Sequence, residues 1–123
     1  MNQRQIIVIL LAAGLCLCNS AFGEILYTVT NTNASGTGSL AAAIASSNSD
    51  GQPSRIEFSV SGTIHPSARY DLTEGNCTIC ATEAPSPGIT IDCDNARSAF
   101  NVTSSGNRFC NIKIINTITN ADG

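Results

Sequence analysis

The chain has no tryptophan, one histidine and one methionine, and only 12% of its 123 residues are charged. Its six lysine and arginine residues are scattered rather than clustered, and the formal net charge is −3. A nucleic-acid-binding surface needs a group of cations that neutralises phosphates. The composition therefore argues against nucleic acid as a partner. It is instead typical of an exported β-rich domain with many glycine, serine, threonine and asparagine residues.

Long apolar runs are also absent, with one exception at the start of the chain. A short polar stretch containing Arg4 precedes the apolar segment Ile6 to Cys18, and small residues follow at Ser20 to Gly23. This order is typical of a secretory signal peptide spanning residues 1–23. The apolar segment is shorter than the roughly 20 residues that a membrane-spanning helix requires.

Cleavage after Gly23 would release a mature chain that begins at Glu24. We therefore predict a secreted or cell-surface protein that is not an integral membrane protein after signal cleavage. Acylation of Cys16 or Cys18 as a lipoprotein anchor is less favoured. Each of these cysteines follows a leucine, where a small residue is expected.

Four cysteines remain after signal cleavage, and four cysteines allow three pairings. Export places them where disulfides can form. Cys77 and Cys80 form a C-x-x-C motif, but they lie in a strand-like run without the βαβ pattern of a redox domain. The paired Cys and His spacing of a zinc site is also missing. We expect structural or unpaired cysteines, with Cys93–Cys110 as the disulfide.

Only one mature segment has the pattern of a helix. Ser39 is a good N-cap, the alanine-rich run Leu40 to Asn48 favours helix, and Gly51 is a typical C-terminal stop. The apolar face is narrow, and an isolated helix of this length is marginal in water. We therefore predict that residues 24–51 form an N-terminal strand and a helix that caps one end of a strand stack. The residues predicted for the buried face are Leu40, Ala43, Ile44 and Ser47.

Short strand-like segments recur after the helix at a nearly constant spacing. They form two columns with offsets of 21 to 25 residues. This period indicates a coil of strands whose successive turns stack in parallel. The offsets connect Ile56 with Ile79, Ile79 with Phe100, Ile64 with Ile89, Ile89 with Ile112, and Ile91 with Ile114.

The alternative is a small β-sandwich, because strands 10 to 12 residues apart also suit hairpins. No Asn-Gly or Asp-Gly turn joins neighbouring strands, which favours the coil. Turn-forming residues provide its corners. They are Asp92, Asn95, Ser104 to Asn107, and Asn116.

Several short motifs then follow one another in a defined order. They are Gly38-Ser39-Leu40 with Ala43-Ile44, Ile56-Glu57-Phe58, Gly62-Thr63-Ile64, and Ile89-Thr90-Ile91-Asp92. In this order the chain resembles the N-terminal part of exported bacterial right-handed parallel β-helix proteins with a pectate-lyase-like fold. The resemblance extends from Tyr27 to Asn116. It implies an all-β, right-handed parallel β-helix of about three rungs with a short capping helix.

Two positions depart from this pattern. Ala41 stands where these proteins usually have an arginine, which removes a charge that would anchor the helix. Cys93 stands where a glycine usually follows the Thr-Ile-Asp motif, at a corner where backbones approach closely. Residues 52–123 are expected to hold the rungs and to be truncated at the C-terminus. The resulting open edge would pair with further rungs or another chain.

Asp92 and Asp94 are the best candidates for a chemical site. Their alternate spacing places two carboxylates on one face near a strand end, as a calcium site or an acid/base pair requires. Calcium takes six to eight oxygen ligands, and Asn95 is the only obvious nearby addition. A polar corner that caps the strand is the competing interpretation.

The other residues with catalytic potential stand outside any recognisable motif. His65, directly before Pro66, is interpreted as loop surface because no partner carboxylate or nucleophile is evident. Lyases of the resembling fold commonly use an arginine or lysine base beside calcium. Arg69, Arg97 and Arg108 are available for that role. No catalytic residue and no cofactor are assigned, although calcium remains open.

Fold resemblance alone does not give function, because parallel β-helices carry many activities. The leading hypothesis is a non-catalytic exported protein that contacts polysaccharide or host surfaces, glycan-binding or adhesin-like. The alternative is the N-terminal fragment of a polysaccharide lyase or glycoside hydrolase. A third is a structural stalk, as in the passenger segment of an autotransporter.

Overall fold

The computed structural model describes residues 24–118, so the predicted signal peptide and residues 119–123 lie outside the described residues. The described chain is mostly β, with one short helix. This helix is neither long enough nor apolar enough to cross a membrane. The elements are β1 (Ile25–Val29), α1 (Leu40–Asp50), β2 (Ser54–Phe58), β3 (Gly62–Ile64), β4 (Tyr70–Leu72), β5 (Cys77–Cys80), β6 (Ile89–Asp92), β7 (Phe100–Val102), β8 (Arg108–Cys110) and β9 (Ile112–Ile115).

Helix α1 forms where the local sequence predicts it. The hydroxyl of Ser39 accepts a hydrogen bond from the backbone N–H of Ala42, which caps the first turn. Gly51 ends the helix in the left-handed conformation at φ 69°, which a glycine adopts without steric cost. The helix packs against β1, β2 and β4. Its buried residues are the predicted ones, Leu40, Ala43, Ile44 and Ser47.

The strands form three separate sheets, and every described pairing is parallel. The strand orders are β1-β2-β5-β8, β3-β6-β9 and β4-β7. From β2 onward the chain visits the three sheets in one fixed order and then repeats that order. A sandwich made of hairpins would instead pair its strands antiparallel. The parallel pairing is therefore inconsistent with the sandwich alternative.

Parallel register aligns apolar residues in rows that run across the strands of a sheet. Ile64 pairs with Ile91, and Ile91 pairs with Ile114 in the next strand. Alternate residues of each strand point inward, and one buried core takes side chains from all three sheets and from α1. The rows become exposed at the last strand of each sheet. The exposed large side chains there are Val102, Phe109 and Ile114.

The predicted offsets hold in part. Ile56 pairs with Ile79, and Ile89 pairs with Ile112, each 23 residues apart as predicted. The predicted alignment of Ile79 with Phe100 is wrong, because Ile79 pairs with Phe109. The predicted alignment of Ile64 with Ile89 is also wrong, because Ile64 pairs with Ile91 and Ile89 with Gly62. Phe100 pairs instead with Tyr70 in a third column of strands, β4 and β7, which the two-column prediction did not contain.

Asparagine and aspartate form corners between strands. The predicted corner residues Asn95 and Asn116 are among them, whereas Asp92 is the last residue of β6. Short polar side chains tolerate the left-handed conformation better than most residues. Corners of successive turns also bond to one another: the N–H of Asn95 donates to the carbonyl of Asn116 at 2.7 Å. Within residues 24–118, the non-glycine residues with positive φ are Asn76, Asp94, Asn95, Asn111 and Asn116.

The predicted Cys93–Cys110 disulfide is wrong. Cys110 is bonded to Cys80, which is its directly opposed partner in the register of β5 and β8. Cys93 instead follows β6, which belongs to a different sheet, and it is fully buried. Among the cysteines of residues 24–118, Cys77 and Cys93 are unpaired.

Candidate functional site

The ends of β3 and β6 bring three potential ligands together. His65 directly follows β3, Asp92 is the last residue of β6, and Asp94 lies two residues further on. One donor atom from each lies within 4.8 Å of the others. We call these three residues the His65 corner. The corner contains the predicted pair Asp92 and Asp94 and adds an imidazole.

His65 is exposed, as the sequence indicates, but it has the carboxylate partner that the sequence did not reveal. Its Nδ1 lies 3.1 Å from both carboxylate oxygens of Asp94. The two side chains are 55% and 52% exposed, so the corner is accessible from solvent. The sequence offsets aligned Ile64 with Ile89 and so gave no signal for this contact. The observed pairing of Ile64 with Ile91 makes His65 and Asp92 neighbours, and Asp94 is two residues further on.

Asp92 is held in place by two donors. Its Oδ1 accepts hydrogen bonds from the backbone N–H of Asp94 at 3.0 Å and from Nδ2 of Asn116 at 2.9 Å. These two bonds lower the pKa of Asp92, with a smaller contribution from the charge of His65. Asp92 therefore also acts as the polar corner that the sequence offered as the competing interpretation.

Within the described residues, none of the three candidate arginines forms a hydrogen bond or an ion pair with the side chains of the His65 corner. Arg97 donates from Nη1 to the carbonyl of Pro66 at 2.8 Å, which fixes the segment after His65. Arg69 lies beside Asp71, with Nε 3.4 Å from Oδ1. Arg108 is exposed at the start of β8. The two unpaired thiols are poor nucleophiles, because burial raises the pKa of both Cys77 and Cys93.

A second feature is an open cleft between α1 and β4, which the sequence did not predict. Its volume is about 240 Å³. Apolar residues of the helix, including Ala41, Ile44 and Ala45, line one side. We call it the α1–β4 cleft. Its polar side chains with the largest hydrogen-bonding capacity are Asn48, Arg69 and Asp71.

These polar groups are positioned by bonds to neighbouring strands. Asn48 donates from Nδ2 to the carbonyl of Asp71 at 2.8 Å and accepts from the N–H of Thr73 at 3.1 Å, which ties α1 to β4. Oδ1 of Asp71 accepts from Nδ2 of Asn101 at 3.0 Å. The second oxygen of Asp71 and the remaining N–H groups of Arg69 are therefore free to meet a polar ligand.

Tyr70 is among the residues that line the cleft, and its buried hydroxyl has no hydrogen-bond partner. Its ring is 5% exposed and packs on Phe100 at a centroid distance of 5.4 Å. Burial raises the pKa of Tyr70 to about 12. A buried unsatisfied polar group costs about 1–3 kcal/mol.

We expect Tyr70→Phe to raise the free energy of unfolding by about 1 kcal/mol, because it removes the unsatisfied hydroxyl and keeps the ring. Tyr27→Phe is the matched control, since the Tyr27 hydroxyl donates to Asp50 Oδ2 at 2.7 Å. That variant should lose about 1–2 kcal/mol. Urea titration followed by circular dichroism measures both, and a clear loss in Tyr70→Phe contradicts the expectation.

Comparisons with known proteins add no relative. The chain matches no protein-family model, no curated protein and no solved structure. Function is therefore argued from the geometry of the His65 corner and the α1–β4 cleft.

Proposed function

We propose that this chain is an exported, non-catalytic carbohydrate-binding protein built as a right-handed parallel β-helix. The three sheets would be its faces, each set of β2-β3-β4 and β5-β6-β7 one rung, and α1 the cap. The fixed order in which the chain visits three parallel sheets supports this architecture. The exposed apolar ends of the rows support the open edge, where further rungs or another chain would pair.

Secretion or display on the cell surface is part of the proposal. It is supported by the Cys80–Cys110 disulfide, because disulfides persist mainly in oxidising compartments. The paired cysteines lie on neighbouring strands, where they close a segment with a separation of 30 residues. The signal peptide predicted for residues 1–23 is consistent with the same compartment.

The proposal of carbohydrate binding rests on the α1–β4 cleft. Pockets for drug-sized ligands measure roughly 300–1,000 Å³, so a volume of about 240 Å³ suits a single sugar unit of a longer glycan. The carboxylate of Asp71 and the guanidinium of Arg69 offer an acceptor and a set of donors for neighbouring hydroxyls. The apolar residues of α1 would contact the C–H face of the sugar ring.

Titration with soluble polysaccharides tests this proposal. We expect weak, saturable binding to at least one neutral or acidic polysaccharide, and a tenfold or larger loss of affinity in Asp71→Asn and Arg69→Gln. Arg108→Gln, outside the cleft, is the matched control and should bind as the unchanged protein does. Calorimetry or a glycan array measures the affinities.

Two outcomes oppose the proposal. Absence of binding across the panel, or equal binding by the Asp71→Asn and Arg69→Gln variants, rules out this cleft as the glycan site. Appearance of unsaturated-product absorbance with polygalacturonate and calcium overturns the non-catalytic assignment. That second result would favour the polysaccharide lyase alternative.

A further inference from the structure

The His65 corner is built from two neighbouring strands of one sheet. β3 and β6 pair in parallel, and the register that opposes Ile64 and Ile91 places His65 and Asp92 at the next opposed positions. Asp94 reaches back from the following turn, so that its carboxylate faces the Nδ1 of His65. Two turns of the chain, 29 residues apart at His65 and Asp94, thus contribute to a single cluster.

The separation of one pair of donor atoms matches that of neighbouring ligands around a small metal ion. Zinc bonds to nitrogen and oxygen are about 2.0–2.2 Å long, so at a tetrahedral angle two ligand atoms stand roughly 3.3 Å apart. Nδ1 of His65 lies 3.1 Å from the carboxylate oxygens of Asp94. A zinc ion bound here would replace the direct contact between the imidazole and the carboxylate, and the Asp92 oxygen, within 4.8 Å of the other two donor atoms, would move closer to them.

Asp92 is suited to provide the third ligand. Its Oδ1 is occupied by two donors, the N–H of Asp94 and the amide of Asn116. The carboxylate is therefore oriented, and its second oxygen remains available. Outer hydrogen bonds of this kind orient metal ligands in known sites. Arg97 donates to the carbonyl of Pro66, directly after His65.

The ligand types decide which metal is expected. Calcium takes six to eight oxygen ligands, whereas this corner offers two carboxylates and an imidazole nitrogen. Imidazole with carboxylate is a donor set for zinc and related divalent transition ions. We propose that His65, Asp92 and Asp94 bind one divalent transition-metal ion of the zinc class, with water as the remaining ligand. The ion would link the ends of β3 and β6.

This proposal is independent of carbohydrate binding, and its test uses metal alone. Tag-free mature protein is titrated with zinc chloride and, separately, with calcium chloride by calorimetry. We expect one zinc ion per chain with a dissociation constant in the micromolar range, and no competition from millimolar calcium. We also expect the thermal midpoint to rise with zinc, because the ion binds the folded state only.

Three variants preserve the local structure while changing the ligands. Asp94→Asn keeps a residue that tolerates the left-handed backbone at φ 54°. Asp92→Asn keeps an oxygen that accepts the two hydrogen bonds, and His65→Gln changes an exposed side chain. Each should weaken zinc binding tenfold or more, while the exposed Glu83→Gln control should not.

The results that overturn the proposal are specific. One is no saturable zinc binding by the unchanged protein, and another is equal zinc affinity in all three ligand variants. Displacement of zinc by equimolar calcium would also refute a nitrogen-containing transition-metal site. It would favour the oxygen-only calcium site first predicted from Asp92 and Asp94.

Discussion

Ile91→Ala is expected to lower the free energy of unfolding by about 2–5 kcal/mol, the range for truncating a buried isoleucine. Ile91 is fully buried in the middle strand of its sheet, between Ile64 and Ile114. A domain of this size has a total stability of roughly 5–15 kcal/mol. The single substitution therefore removes a large fraction of the stability. Urea titration followed by circular dichroism measures the loss.

Ile114→Ala is the matched control for this prediction. The two isoleucines are register partners in the same row and lose the same side-chain atoms. Ile114 is 41% exposed, because β9 is the last described strand of its sheet. Its truncation should cost about 1 kcal/mol or less. Equal losses of stability in the two variants would contradict the burial of Ile91 and the exposure of Ile114 at the end of their row.

Loss of the Cys80–Cys110 disulfide is expected to lower the free energy of unfolding by about 3–4 kcal/mol. The bond closes a loop with a separation of 30 residues, and the loop-entropy model gives this magnitude for such a loop. The measurement compares urea titrations of the oxidised protein with and without reductant. Reduction should shift the transition midpoint strongly to lower urea concentration.

Two single variants identify the pair that carries this effect. Cys93→Ala should keep the response to reductant, because Cys93 is unpaired. Cys80→Ala should abolish it, and its stability should be close to that of the reduced protein. Loss of the response in Cys93→Ala alone would restore the pairing first predicted from the sequence.

Local signals were sufficient for the helix. An N-cap serine, an alanine-rich segment and a terminal glycine act within a few residues of each other, so α1 and its buried face could be predicted without knowledge of its neighbours. The same holds for strands with several β-branched residues, such as β6 and β9.

Two strands were missed because their sequences carry little local signal. β4 (Tyr70–Leu72) and β8 (Arg108–Cys110) are three residues long and include a charged residue each. They are strands because neighbouring turns provide parallel partners, which is a long-range condition. Without these two strands, the prediction contained two columns of strands instead of three. It therefore aligned Phe100 with Ile79 instead of Tyr70.

The candidate site was likewise predictable only in part from the sequence. Asp92 and Asp94 stand out by their spacing, but the approach of His65 depends on the register of β3 and β6. The α1–β4 cleft depends on how the helix packs on a strand that was not predicted. Neither feature can be derived from neighbouring residues alone.

The sequence by itself determined helix α1 with its buried face, the strand-rich class, the parallel stacking of strands and asparagine at several corners. These depend on short-range preferences of the backbone and on periodic burial. The predicted repeat near 23 residues holds for two of the six described pairings, and the other four are offset by 27 to 30 residues. Only the tertiary structure decided the third sheet, the pairing of Cys80 with Cys110 and the meeting of His65 with Asp94. The physical reason is register: unequal loops between strands set which residues of successive turns face each other.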